Sequence, residues 1–168
     1  MDKDFFLIRK MKNGDEKAME CFVRQYYPFI LQYCRYRIRD REDAKDITQE
    51  TFEHFFGKLT DYHYMGKTVN YLYVIAGNLC RDFYQKKTEL VMEELPEKEE
   101  NPMEEISDRM DIEMALAKLP EELKEIIILY YFQDRKLKEI AEILQIGLPL
   151  VKYRMKRAKE QLEGMLKK

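Results

Sequence analysis

Residues 137–162 read LKEIAEILQIGLPLVKYRMKRAKEQL. Two amphipathic runs, 137–144 and 148–162, flank the short segment Gln145-Ile146-Gly147, and this order predicts a helix-turn-helix. One face of the second run is apolar: Leu148, Val151, Met155, Ala158 and Leu162. The opposite face carries Lys152, Tyr153, Lys156 and Arg157, and residues 152–159 include five basic side chains and no acidic one. Because cations bind phosphates and guanine edges, this pattern favours DNA recognition over protein contact, the other use of this motif.

The rest of the chain is also predicted to be helical. It has 168 residues, 45% of them hydrophobic, with only 6 Gly and 5 Pro and no hairpin signals. The fold class is therefore all-α. Helices are expected through Ala18–Tyr26 with a bend at Pro28, then from Ile30, and over 42–59, 69–87, 121–133, 137–144 and 148–166.

Targeting and redox signals are sparse. Charged residues interrupt the N-terminal apolar run, and the longest apolar run, 126–132, is too short for a membrane span. We therefore expect a cytoplasmic protein without membrane insertion. Cys21, Cys34 and Cys80 are expected to be buried and reduced. With only two histidines, no zinc-ligand spacing can be assembled, so we predict neither a metal site nor a cofactor.

Charge divides the chain into three parts. Residues 1–88 carry 16 Lys or Arg against 13 Asp or Glu, and residues 114–168 carry 12 against 8. Residues 89–113 carry 2 against 11 and contain Pro96 and Pro102. We therefore predict two small helical domains, 1–88 and 114–168, joined by an acidic flexible linker, 89–113.

The helix predicted at 42–59 has a narrow polar stripe opposite its apolar half. The stripe consists of Asp46, Gln49, Glu50 and Glu53. Two interpretations remain open from the residues alone, a solvated acidic face and a docking surface for a basic partner helix. Catalysis is the weakest alternative, because neither a base nor a metal ligand accompanies the carboxylates.

The next predicted helix, 69–87, has an apolar stripe with a mixed face opposite. The buried stripe is expected to comprise Val69, Leu72, Ile75, Ala76, Leu79 and Phe83. The far side carries Tyr71, Asn78, Arg81 and Gln85, and the preceding loop, 60–68, adds Tyr64 and Lys67. Aromatic, amide and cationic groups together suit unpaired bases and phosphates. Ordinary surface tyrosines on a partly exposed helix are the competing interpretation.

Over nearly its full length the chain resembles the extracytoplasmic-function (ECF) group of bacterial sigma factors. Residues 43–52, DAKDITQETF, closely match the region 2.2 signature, and residues 71–79, YLYVIAGNL, resemble the helix of regions 2.3–2.4. Asn13–Met19 is similar to the group's opening Gly-Asp turn. Leu119-Pro120, Glu139-Ile140-Ala141 and the 151–158 run resemble region 4.

The resemblance implies a non-enzymatic promoter-recognition factor that acts in transcription initiation. The stripe Asp46, Gln49, Glu50 and Glu53 would dock on the β′ clamp helices of core RNA polymerase. The loop and far-side residues of 69–87 would capture the −10 element of promoter DNA. Lys152, Tyr153, Lys156 and Arg157 would read the −35 element, while the same domain contacts the β flap. An anti-sigma factor is a further partner at the family level.

Several residues depart from the family pattern. Tyr71 stands where Trp is usual, Lys136 where Ser or Thr caps a helix, and Pro149-Leu150 where Gly-Thr is common.

The alternative to a sigma factor is a stand-alone helix-turn-helix regulator with an N-terminal sensor or dimerisation domain. A net charge of −2 disfavours it, because a lone regulator depends on a strong phosphate contribution to binding.

Overall fold

The structure is a computed structural model, and it describes residues 3–93 and 114–166. Every regular element in these two ranges is helical, as predicted. The first range holds α1 (Lys3–Lys12), α2 (Glu16–Arg37), α3 (Arg41–Gly57), a 3-10 turn (Leu59–Asp61) and α4 (Thr68–Glu93). The second holds a short helix, 114–118, then α5 (Glu121–Ile127), a π-helical turn (Ile128–Phe132), α6 (Leu137–Leu144) and α7 (Leu148–Leu166).

Internal contacts divide the chain into two units, Met1–Arg81 and Asp82–Lys168. The division falls inside α4. The expected boundaries at 88/89 and 113/114 therefore remain a prediction, and residues 94–113 of the expected linker lie outside the described residues.

The first unit is built around aromatic side chains on α2, α3 and α4. Phe22 of α2 stacks on Phe55 of α3, with ring centroids 4.8 Å apart, and both rings are fully buried. Tyr33 of α2 meets Tyr73 of α4 edge to face at 5.2 Å. Aromatic pairs of this kind add to the free energy gained by burying their area. They fix α3 and α4 against α2.

Helix α2 continues past Pro28, where a bend was expected. The helix runs unbroken from Glu16 to Arg37 with Pro28 inside it, so the prediction of two helices was wrong. The helix starts after Gly14, which adopts a φ of +87°, and the Asp15 side chain caps it by accepting a hydrogen bond from the Ala18 N–H. Pro28 is exposed, and the buried residues on either side, such as Phe22 and Ile30, keep the helical register across it.

Helix α4 is longer than predicted, and only Leu72 and Ala76 of the predicted stripe are fully buried. It begins at Thr68 and ends at Glu93 instead of near Lys87, because no Gly or Pro lies between Lys87 and Pro96. Leu72, Tyr73, Ala76 and Cys80 form its buried face. The expected members Val69, Ile75, Leu79 and Phe83 are half-buried.

The cysteine prediction was correct at two positions of three. All three are free thiols, but only Cys34 and Cys80 are buried, whereas Cys21 is exposed.

The second unit carries the predicted helix-turn-helix. Helix α6 has the predicted bounds, and α7 extends over the predicted 148–166. Gln145 adopts the left-handed conformation at φ 58°, and the Ile146 N–H bonds back to the Ala141 carbonyl at 3.1 Å. The predicted 121–133 helix was partly wrong. After Ile127 it widens into a π turn, in which the Gln133 N–H reaches the Ile128 carbonyl at 3.0 Å.

Candidate polymerase and promoter surfaces

Helix α3 presents the predicted polar stripe to solvent. Asp46, Gln49, Glu50 and Glu53, which we call the acidic stripe, are all exposed. The Glu50 carboxylate lies 3.8 Å from His54 Nε2, and both side chains are about half exposed. The stripe therefore presents carboxylates on a continuous helical face, at a spacing that a partner helix can reach.

The opposite face of α3 is anchored in the core. Ala44, Thr48, Thr51 and Phe55 are fully buried. The two threonine hydroxyls donate to the backbone carbonyls of Ala44 and Ile47, each at 2.8 Å, so these buried polar groups are satisfied within the helix. Asp40 caps the helix by accepting from the N–H groups of Glu42 and Asp43 at 2.8 and 3.0 Å. The acidic stripe is thus held on a rigid support.

The predicted −10 residues differ in accessibility. Lys67, Asn78 and Gln85 are exposed. Arg81 is half-buried and donates a hydrogen bond through Nη2 to Asn78 Oδ1. Gln85 lies beyond the first unit, whereas the other predicted residues lie within it.

The two predicted tyrosines are partly engaged by neighbouring rings. Tyr71 is half-buried and stacks on Tyr62, with centroids 5.1 Å apart and planes 25° apart, and it also lies 5.9 Å from Phe55. Tyr64 meets Phe5 of α1 edge to face at 5.9 Å. Neither ring stands free. The expectation that Tyr71 projects from the exposed face of its helix was therefore wrong in part.

The loop before α4 exposes a residue that the sequence reasoning missed. Met65 is 89% exposed and precedes Gly66, which adopts a φ of +101°. Tyr62 anchors the loop instead of projecting from it, since its hydroxyl lies 3.3 Å from Thr68 Oγ1. Burial raises the pKa of Tyr62, which keeps that hydroxyl protonated. The available signal for Met65 was a long apolar side chain directly before a glycine in a predicted loop.

The four predicted −35 residues all lie on the exposed side of α7. Lys152, Tyr153, Lys156 and Arg157 are exposed, while Val151, Met155 and Ala158 are buried. Arg157 Nη1 donates to the Tyr153 hydroxyl at 3.0 Å, and its guanidinium carbon lies 5.9 Å from the centre of that ring. Arg154 faces inward and pairs with Glu122 of α5 at 3.3 Å.

Leu150 is a second residue that the prediction left out. It lies in the first turn of α7 and is 38% exposed. Its backbone N–H bonds to the Gly147 carbonyl at 3.1 Å.

Over residues 3–93 and 114–166, no three His, Cys, Asp or Glu side chains gather in a way that could hold a metal ion. Within the same ranges every helix is too short or too polar to cross a membrane.

Two family models match the chain in order. The model described as Sigma-70 region 2 matches residues 22–89, and the one described as Sigma-70, region 4 matches residues 109–162. The N-terminal half, which the regulator alternative treated as a sensor or dimerisation domain, thus matches a sigma region. The alternative is set aside.

Individual relatives and solved structures agree. The ECF RNA polymerase sigma factor SigW of Bacillus subtilis is 28% identical, with 95% of each chain aligned. RNA polymerase sigma factor SigV of the same organism is 32% identical over 86% of each chain. The fold is similar to that of RpoE, solved with the anti-sigma factor NepR from Bartonella quintana, at a TM-score of 0.78, 20% identity and coverage of 90% and 98%. It is equally similar to CnrH, solved with the cytosolic domain of CnrY, at 0.78, 22% and coverage of 99% and 98%.

Two matched sigma regions, with a relative above 30% identity aligned over most of both chains, establish the family and agree with the exposed helix-turn-helix surface. The chain belongs to the ECF sigma factors of RNA polymerase, a non-enzymatic family that serves promoter recognition and transcription initiation.

Proposed function

We propose that three surfaces of this sigma factor divide the work of initiation. The acidic stripe on α3 binds the β′ clamp helices of core polymerase, the 62–67 loop with α4 binds the −10 element, and the outer face of α7 binds the −35 element. The observation that carries the proposal is the face of α7. Its four predicted contact residues are all exposed, whereas Val151, Met155 and Ala158 on the opposite face are buried.

The acidic stripe suits a basic helical partner. Its three carboxylates and one amide face solvent along about two turns of a helix whose other side is fixed in the core. Charge-assisted hydrogen bonds to Arg are stronger than neutral ones and add orientation as well as affinity. An exposed stripe also steers the encounter with a cationic surface. The alternative, a merely solvated face, would not require the rigid helix start at which Asp40 accepts two backbone hydrogen bonds.

For the −10 element the support comes from Lys67, Asn78 and Arg81. The hydrogen bond from Arg81 presents the Asn78 amide with its oxygen already engaged, which leaves the amide N–H groups to donate to a base edge. Lys67 supplies a cation for phosphate at the start of the same helix. Tyr64 and Tyr71 are partly accessible and offer less stacking surface than free rings would. Exposed Met65 extends the apolar surface of the loop.

Partners beyond the clamp helices follow from the family. We infer that the second unit contacts the β flap of polymerase. We also infer that an anti-sigma factor binds this chain, since RpoE, which has the same fold, was solved in complex with one. Such a protein acts in the cytoplasm, where polymerase and promoter DNA meet.

Run-off transcription with core polymerase tests the proposal. A promoter selected from randomised DNA should yield a transcript only when both the core enzyme and this protein are present. Asp46→Ala with Glu50→Ala should reduce co-purification with the core at least tenfold and reduce the transcript with it. Both side chains are exposed, so the circular dichroism spectrum and melting temperature should be unchanged.

The matched control removes the same charge elsewhere in the first unit. Glu16→Ala with Glu20→Ala changes two exposed carboxylates on α2 and should leave core binding within twofold. Wild-type core binding by the stripe variant would refute the docking assignment. An equal loss of core binding in both variants would mean that the stripe acts only through the overall charge of the protein.

A further inference from the structure

The exposed face of α7 contains an apolar element among its cations. Leu150, Tyr153 and Arg157 lie three and four residues apart, so they form one line along the helix. Leu150 is 38% exposed and Tyr153 is 56% exposed, whereas Val151 between them is fully buried. An exposed leucine beside an exposed tyrosine gives this line an apolar surface that the unbound protein leaves in contact with water.

The line is fixed at its distal end. Arg157 donates to the Tyr153 hydroxyl at 3.0 Å while its guanidinium lies 5.9 Å from the ring centre, and these contacts orient the Tyr153 ring along the helix. At the proximal end Leu150 lies in the first turn, where its backbone N–H is bound to the Gly147 carbonyl. The Tyr153 ring and the backbone of Leu150 are therefore positioned before any partner binds.

The flanking charges indicate which partner covers this line. Lys152 and Lys156 are exposed on the same helix, and residues 152–159 include no acidic side chain. A nucleic-acid groove complements that charge, and the N-terminal residues of a recognition helix are the ones that approach base edges in the major groove. Among the base edges there, thymine alone presents an apolar group, its C5 methyl.

We propose that Leu150 is a specificity-determining residue that contacts a thymine methyl in the −35 element, with the Tyr153 ring as the second wall of the contact. This inference rests on the proposed binding of the −35 element by α7. Leu150 makes no hydrogen bond with its side chain, so it discriminates thymine through the methyl group alone. The cations of α7 supply affinity that does not depend on that methyl.

Replacing thymine by deoxyuracil, which lacks only the methyl, tests the contact directly. Promoters are first selected from a library randomised over the −35 region, with the full chain and core polymerase. Each thymine on either strand of the selected element is then replaced by deoxyuracil. At one position the substitution should weaken binding of the wild-type holoenzyme about three- to tenfold, the range expected for one buried methyl group at a base edge.

The protein variants assign the effect to Leu150. With Leu150→Ala the penalty for deoxyuracil at that position should fall below about twofold, and with Leu150→Met, which keeps an apolar side chain, it should persist. Lys156→Ala is the matched control, because it should weaken binding to thymine and deoxyuracil promoters equally. Since Leu150 and Lys156 are exposed, unchanged melting temperatures confirm that the variants fold.

Three results overturn the inference. They are selected elements with no preferred thymine, a wild-type holoenzyme indifferent to deoxyuracil at every position, and a penalty that survives in Leu150→Ala. In all three the wild-type holoenzyme still initiates, so the proposed function stands. If the protein with core polymerase selects no promoter at all, the proposed function itself fails, and the inference with it.

Discussion

Asp40 determines how α3, the helix that carries the acidic stripe, begins. Its carboxylate accepts from two N–H groups of the first turn, Glu42 and Asp43. Replacing an N-cap of this kind by Ala costs about 1 kcal/mol. We expect Asp40→Ala to lower the free energy of unfolding by about that amount in urea titrations, while Asp40→Asn, which keeps an acceptor, loses much less. Equal losses would mean that the charge, rather than the cap, stabilises the helix.

Cys34 gives the first unit a dependence on pH. A hydrogen bond with Cys80, together with burial, raises the pKa of Cys34 well above its usual range. The folded protein therefore keeps its proton where the unfolded chain has released it. This contribution to stability is complete below the unfolded pKa of about 8.5 and is lost as the pH rises through and beyond it.

We expect the free energy of unfolding to fall by about 1 kcal/mol between pH 7.5 and pH 9.5 under reducing conditions. Urea titrations at the two pH values measure it. Cys34→Ala is the control, since it lacks the thiol and should show a smaller decrease. An equal decrease in that variant would assign the effect to other groups, among them Tyr62, whose pKa is also raised.

At the scale of the element, the effect of Pro28 on α2 is what the sequence predicted least well. A proline inside a helix lacks the N–H that would bond the carbonyl of Arg24, and its ring crowds that carbonyl, which is why a bend was expected. Packing on both sides of it, with Phe22 and Ile30 fully buried, holds α2 continuous. Tertiary contacts between distant residues, which no local pattern contains, outweigh the local preference.

Pro28→Ala should therefore stabilise the protein. The variant regains one backbone hydrogen bond and opens no core cavity, because Pro28 is exposed. The more flexible unfolded chain offsets about 0.4–1 kcal/mol. We expect a net increase of about 1–2 kcal/mol in the free energy of unfolding, measured in urea. Gln25→Ala, exposed on the same helix, should change it by less than about 0.5 kcal/mol. A loss of stability in Pro28→Ala would mean that α2 depends on the proline.

Periodicity predicted α6 and α7 well because their apolar residues repeat at helical spacing and Gly147 interrupts them. It predicted the buried face of α4 only in part, because apolar and aromatic residues occur on more than one side of that helix. Tyr73 and Cys80 are buried against α2, while Tyr71 turns toward Tyr62. Which of several tyrosines is buried depends on the neighbouring helices. The candidate site residues were therefore predicted unequally well. The α7 residues are exposed as predicted, whereas Tyr64 and Tyr71 are only partly accessible.

For the molecule as a whole, the charge distribution disfavours strong binding of DNA by the chain alone. Residues 114–168 carry 12 basic and 8 acidic side chains, and the whole chain has a net charge of −2. Non-specific affinity for DNA arises from neutralised phosphates, and few are neutralised by such a surface. A protein with a weak site for promoter and another for polymerase gains affinity when both are occupied, because the second contact becomes intramolecular.

Binding of a selected −35 duplex by the free chain and by the holoenzyme should therefore differ widely. At 0.15 M salt we expect the free chain to bind with a Kd in the micromolar range or weaker, and the holoenzyme to bind its promoter at least a hundredfold more tightly. In fluorescence anisotropy titrations across salt concentrations, Lys156→Ala should reduce the slope of log K against log salt by about 0.9, the contribution of one phosphate contact. Lys10→Ala, an exposed lysine on α1, should leave the slope unchanged. Nanomolar binding by the free chain would contradict the view that tight promoter binding needs contacts to both polymerase and DNA. The cationic helix α7 would then be sufficient for tight binding by itself.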